Sequence, residues 1–157
     1  MATRLFYLGS AQEIFSDFSL PLMEPPVTAG APGPPEEYRE KRIDLNKLFN
    51  FNASTFTWLA QGDSMTGVGI HTGDILIVDR ALQAAVGDIV IAEINRQPTV
   101  KRLGKNNGST ELTAANKYYL LPENPNHKPI PIDPEEGTRV WGVVTGVFHR
   151  LKHFKNF

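Results

Sequence analysis

From about residue 55 onward this chain is a series of short β-branched and aromatic runs. They are set close together between turns rich in glycine, asparagine and proline, and that spacing admits little besides an antiparallel β fold. The runs fall at 55–59, 74–79, 88–94, 98–103, 110–113, 118–121, 128–132 and 139–151. Asn95-Arg96-Gln97 marks a turn between the third and fourth runs, and Asn106-Asn107-Gly108 is a stronger turn before the fifth. Gly142 and Gly146 predict a bend or bulge in the last and longest run. With few helices between them, the runs specify a mostly β, compact, antiparallel-rich domain without internal repeats.

The first 35 residues read differently. Positions 1 to about 20 mix apolar and polar residues (Leu5, Phe6, Leu8, Ile14, Phe15, Phe18, Leu20), which fits either a short amphipathic helix or an extended arm. Residues 21–35 hold six of the twelve prolines. Proline fixes φ and removes a backbone donor, so this stretch is expected to be extended, poorly paired and linker-like. Residues 36–49 begin with helical composition, and one turn of helix or an ordered crossing segment is expected there. The expected division is an arm and linker over 1–35 and a β domain over 36–157.

At 157 residues the chain can bury a core without covalent staples. It has no cysteine, which excludes disulfides, thiolate metal sites and a cysteine nucleophile. A formal net charge of -1 provides no electrostatic footprint for nucleic acid, so no direct sequence-specific DNA binding is expected and any DNA contact should come through a partner. No apolar run approaches the length of a membrane span, and the N-terminus lacks the basic-then-apolar pattern of a signal peptide; the expected location is the cytoplasm. His149 and His153 lie four apart, as zinc ligands on a helix do, but no third ligand accompanies them; neither metal nor cofactor is expected.

The candidate chemistry lies in two places. Gly62-Asp63-Ser64-Met65 offers a serine in a turn with Gly67 and Gly69 close behind, and Thr99-Val100-Lys101-Arg102 offers a lysine in an apolar strand pattern. A serine hydroxyl is a weak nucleophile until a neighbouring base takes its proton. Lysine serves as that base only when neutral, which at pH 7 costs about 5 kcal/mol from its reference pKa. Burial in apolar surroundings supplies such a shift. Strand alternation puts Lys101 on one face with Thr99 and Leu103, and Val100 and Arg102 on the other, so the fold can hide Lys101 while Arg102 stays solvated. Glycine-rich turns also let backbone N–H groups converge on an oxyanion; the expected donors are the amides of Ser64 and a neighbour, Asp63 or Met65. Asp63 is expected to brace the turn, and Met65 to pack beneath Ser64. A serine–histidine–aspartate arrangement through His149 and Asp74 is the competing catalytic reading. Far upstream, Ala29-Gly30 is a small-residue pair inside the proline-rich stretch.

Gly62-Asp63-Ser64-Met65, Gly73-Asp74-Ile75-Leu76-Ile77-Val78-Asp79, Gly87-Asp88-Ile89-Val90-Ile91-Ala92 and Thr99-Val100-Lys101-Arg102-Leu103, in that order, resemble the self-cleaving domain of the LexA and UmuD family. The 37 positions from Ser64 to Lys101 fit as well, and Val140-Trp141-Gly142-Val143-Val144 resembles the family's closing strand. Glu37-Tyr38, Arg42-Ile43-Asp44-Leu45-Asn46 and the proline-rich arm resemble the UmuD branch, and the likeness covers about residues 20–151.

The resemblance implies a compact LexA/signal-peptidase-like β domain behind an extended arm. It implies a Ser–Lys dyad, with Ser64 as nucleophile and Lys101 as general base, cutting the chain's own Ala29–Gly30 bond. Small side chains suit that bond, which must approach Ser64 within about 3–3.5 Å. The arm is expected to lie as an added strand in the cleft, with Pro32 limiting pairing downstream. The resemblance further implies stimulation by a RecA–single-stranded DNA filament in the SOS response to DNA damage. It also implies a homodimer, and a cleaved product that joins a UmuC-type subunit in an error-prone translesion polymerase.

Three other functions compete. A LexA-like repressor needs a DNA-reading domain ahead of the linker, for which about 20 mixed residues are too few. A non-catalytic adaptor that regulates a polymerase by binding alone leaves Ser64 and Lys101 without a purpose. A signal-peptidase-like enzyme acting on other proteins would be expected to carry a membrane anchor.

Overall fold

The computed structural model describes residues 4–10, 19–24, 39–106 and 117–152. Among them, in chain order, are β1 (Arg4–Ser10), β2 (Ser19–Glu24), β3 (Arg39–Asp44), the single-turn helix α1 (Leu45–Leu48), β4 (Thr55–Gln61), β5 (Ile75–Asp79), β6 (Ile89–Ile94), β7 (Gln97–Lys105), β8 (Tyr118–Leu121), β9 (Ile130–Pro131) and β10 (Thr138–Phe148). The mostly β, antiparallel reading holds: eight strands form one antiparallel sheet in the order β1-β4-β5-β10-β6-β7-β8-β9.

The 11-residue β10 joins the two halves of this sheet. Its first half pairs with β6, Val140 opposite Ala92, and its second half with β5, Val147 opposite Leu76. Its ladder slips between Val140 and Gly142 and again between Val144 and Gly146, so the bulges sit at the two expected glycines. Both glycines are required by close approach. A Cβ on Gly142 would lie 2.8 Å from Val78 Cγ1, and one on Gly146 would lie 2.6 Å from Phe49 Cε1. β1 also comes close to β7, so the sheet curls until its first edge nears a strand five places along.

Alternation along the strands divides the apolar side chains between two clusters. One gathers Leu5, Trp58, Ala60, Met65, Ile70, Leu76, Val78, Ile91 and Val100. The other gathers Val90, Ala92, Leu103, Leu120 and Val143. In β6, Val90 and Ile91 go to opposite clusters, and in β7 so do Val100 and Leu103. Each fully buried Leu or Ile here contributes about 1.5–3 kcal/mol relative to exposure.

Asp74 and Asp88, expected to open strands, stand just before them. Each follows a glycine of positive φ, 93° at Gly73 and 100° at Gly87, a backbone conformation that side chains resist. Each carboxylate then accepts the N–H three residues back: Asp74 from His71 at 2.7 Å, Asp88 from Ala85 at 2.8 Å. The turn between β6 and β7 has positive φ at both central residues, 51° at Asn95 and 65° at Arg96, which matches the twist of a tight hairpin.

The N-terminal region departs most from the sequence reading. Of the two alternatives for residues 1–20, the extended one holds where residues are described: β1 pairs with β4, Phe6 opposite Leu59. The start of the proline-rich stretch is paired. β2 forms a two-stranded ladder with β3, and Pro21 sits opposite Arg42. A strand in a two-stranded ribbon is always an edge strand, where the missing donor of proline can face outward. Over 36–49 the strand comes first and the helix second, because Asp44 caps α1 by accepting the Asn46 N–H at 2.9 Å. The 128–132 run contracts to β9, and the last strand ends at Phe148. The expected strand at 110–113 and the Ala29-Gly30 pair lie outside the described residues.

Candidate active site

β4 ends at Gln61, and the chain turns out of it through Gly62, whose φ of 111° is open to glycine. Ser64 follows at 0 % exposure, then Met65, also fully buried and packed in the first cluster, and a 3₁₀ turn, Thr66–Val68. The turn is closed by Thr66, whose N–H and hydroxyl both donate to the Asp63 carbonyl, at 3.3 Å and 3.1 Å.

Lys101 lies mid-strand in β7 with 4 % exposure, and the structure brings it to Ser64: Nζ is 2.7 Å from Oγ. The same nitrogen is 2.9 Å from the Val100 carbonyl and 3.1 Å from Thr99 Oγ1. As an ammonium, Nζ donates to all three oxygens; once it loses a proton, two N–H groups still serve the carbonyl and the threonine hydroxyl, and the lone pair is left to accept the serine O–H. Among the described residues no carboxylate pairs with Lys101, and burial alone lowers its pKa from 10.5 to about 8. Burial thus goes most of the way toward the shift that a base working near neutrality requires. Arg102, on the other side of the strand, pairs with Glu123 and donates to the Gly87 carbonyl, so its charge is met outside the core.

Asp63 reaches further than a local brace. Its carboxylate pairs with His127 Nε2 at 2.9 Å, and that hydrogen bond holds it below the usual carboxylate range. Its carbonyl also accepts from Asn124 Nδ2 at 2.9 Å. The competing catalytic reading finds its histidine and aspartate joined, His149 Nδ1 to Asp74 Oδ1, but no hydrogen bond links His149 to Ser64. These two residues meet because β10 runs antiparallel to β5, which places His149 beside the Asp74 turn. His153 lies outside the described residues, and among those described no cluster of three His, Cys, Asp or Glu could hold a metal. Sequence reading missed the role of Thr99, although its place on the Lys101 face was legible. It missed the 123–127 segment altogether, which carries no motif of its own.

The profile of the Peptidase S24-like family matches residues 21–145, a span that takes in most of the ribbon, the serine turn and the lysine strand. The chain belongs to the S24-like peptidase family. Curated relatives match it along most or part of its length. It is 37 % identical over 142 residues to protein ImpA of Salmonella typhimurium, covering 86 % of this chain and 87 % of the relative. It is 38 % identical over 133 residues to protein SamA of Salmonella typhimurium strain LT2, covering 84 % and 86 %. Against the LexA repressor of Oleidesulfovibrio alaskensis it is 45 % identical over 91 residues, but this covers 58 % of the chain and 40 % of the repressor. This S24-like peptidase is therefore a self-cleaving serine peptidase of the LexA/UmuD group, and a UmuD-like protein of SOS mutagenesis. Among its described residues no helix is long and apolar enough to cross a membrane.

Proposed function

We propose that this chain cuts its own Ala29–Gly30 bond, with Ser64 as nucleophile and Lys101 as general base. The observation that carries the proposal is the 2.7 Å contact between Ser64 Oγ and a buried lysine amine without a carboxylate partner among the described residues. Ser64 Oγ attacks the Ala29 carbonyl carbon as its proton passes to Lys101 Nζ. The oxyanion is received by the amide of Ser64 and that of Asp63 or Met65, in the turn that follows Gly62. Collapse of the intermediate breaks the C–N bond, and the lysine ammonium returns its proton to the Gly30 amine. Water, activated by the same lysine, then hydrolyses the Ala29–Ser64 ester. The products are a carboxylate at Ala29 and a free amine at Gly30.

In this proposal residues 1–35 act as the arm that presents the bond and 36–157 as the β domain that cuts it. The chain works in the cytoplasm as a homodimer. A RecA–single-stranded DNA filament accelerates cleavage by favouring the arm-docked state. The shortened product then serves a UmuC-type subunit of an error-prone translesion polymerase. The near-complete coverage of ImpA and SamA, against partial coverage of the LexA repressor, favours this reading over repression. Mass spectrometry after incubation at alkaline pH tests it. Fragments 1–29 and 30–157 from the wild type and none from Ser64→Ala support it; a cut elsewhere, or undiminished cutting by Ser64→Ala, refutes it.

A further inference from the structure

Ser64 follows β4 and Lys101 lies in β7, and three strands, β5, β10 and β6, separate these two in the sheet. No ladder hydrogen bond therefore fixes the serine turn against the lysine strand. One short segment after β8 touches both. The Glu123 N–H donates to the Ser64 carbonyl at 2.8 Å, and the Glu123 carbonyl accepts the Gly67 N–H at 2.7 Å. The Glu123 carboxylate receives Nε of Arg102, the residue next to Lys101 in β7. Just beyond it, Asn124 and His127 hold the main chain and carboxylate of Asp63.

We infer that Glu123 is a positioning residue for the Ser64–Lys101 pair, its main chain setting the serine turn and its carboxylate tying that turn to the lysine strand. The inference rests on reading the pair as nucleophile and base. Glu123 itself touches neither reacting atom. It acts by closing the gap the sheet leaves open, where a displacement of about 1 Å can cost about a hundred-fold in rate. The charged and titratable groups around it are Arg102 on β7, Asp63 and His127 beside the turn, and Lys101 on the far side of β7.

Two substitutions separate the two links. Glu123→Gln keeps both main-chain bonds and removes only the charge. It leaves Arg102 unneutralised beside Lys101, which favours the neutral amine. Gly67→Ala attacks the main-chain link, because its Cβ would lie 2.4 Å from the Glu123 carbonyl oxygen. Self-cleavage of the full chain is followed from pH 7 to 10 for these variants, for Glu123→Asp and for Ser64→Ala, with melting temperatures measured in parallel. The expected result for Glu123→Gln is a plateau rate at high pH about ten-fold lower and a pH midpoint moved downward, with Glu123→Asp restoring the midpoint. For Gly67→Ala it is a loss of about a hundred-fold in protein that remains folded. If both rates fall only in step with the folded fraction and the midpoint stays put, Glu123 is a structural brace and the inference is overturned. If Ser64→Ala still cuts, the reading of the pair itself fails, and this inference falls with it.

Discussion

Three Gly-Asp pairs sit in turns of this chain, and they are braced in two ways. At Gly73-Asp74 and Gly87-Asp88 the carboxylate accepts an N–H three residues back, so each turn closes on itself before its strand begins. At Gly62-Asp63 the carboxylate reaches His127, 64 positions away, and the carbonyl is held by Asn124, 61 positions away. The first two turns are scaffolding and need only local chemistry. The third presents Ser64 to a lysine on a strand that is not its neighbour, and its position depends on another part of the molecule. A reactive turn held from outside can be aligned more closely than its own few residues allow, and it is also easier to displace.

The largest expected effect sharpens this contrast at Lys101. Lys101→Met removes the proposed base, so self-cleavage should fall by more than about a thousand-fold. The same change removes a buried amine that at neutral pH carries a charge unpaired by any described carboxylate, so the protein should become more stable by about 1–3 kcal/mol at pH 7. Fragment yield and thermal melting read the two effects; a destabilised variant would break the account of the buried lysine.

Next come the two kinds of brace. Asp63→Ala should slow cleavage by about ten-fold, because the serine turn loses its side-chain tie to His127. Asp74→Ala should cost about 1–3 kcal/mol of stability, since Asp74 is 1 % exposed and serves both the His71 N–H and His149, yet leave the cleavage rate of the folded protein within about two-fold. Equal effects of the two on cleavage per folded molecule would erase the distinction between them.

Stability should also depend on pH above neutrality. The folded lysine titrates at about 8 against 10.5 for its ordinary value, so between those pH values the unfolded chain binds more protons and stability rises with pH. Denaturant midpoints at pH 8 and pH 10 measure this, and Lys101→Met should flatten the slope. The smallest effect expected is at the β6–β7 hairpin, where Arg96 holds a φ of 65°. Arg96→Gly should stabilise the protein by about 0.5–1 kcal/mol without changing cleavage, as chemical denaturation would show.

What the amino-acid sequence revealed follows the range of the forces involved. β5, β6, β7 and β10 were legible because alternation and glycine punctuation are written locally, and the β10 bulges fell at Gly142 and Gly146. Ser64 and Lys101 were legible as a serine in a tight turn and a cation on an otherwise buried strand face. The β2–β3 ribbon was not, because Pro21 discouraged a strand and its partner Arg42 lies 21 positions further on. The bracing of Asp63 and the contacts of Glu123 were not, because ordinary loop residues become informative only when folding brings them to the serine turn. Thr99 fell between these cases: its side of the strand followed from alternation, while its 3.1 Å contact with Nζ depended on the lysine side chain curling back along its own strand.

The central claim is that a serine is activated by a lysine kept short of its usual charge. The most direct measurement is the rate of self-cleavage of the full chain as a function of pH. A Lys101 base gives a rate that climbs through a single titration with a midpoint near 8 and levels off above pH 9. A rate already level by pH 7, or one that does not change between pH 6 and 10, contradicts it.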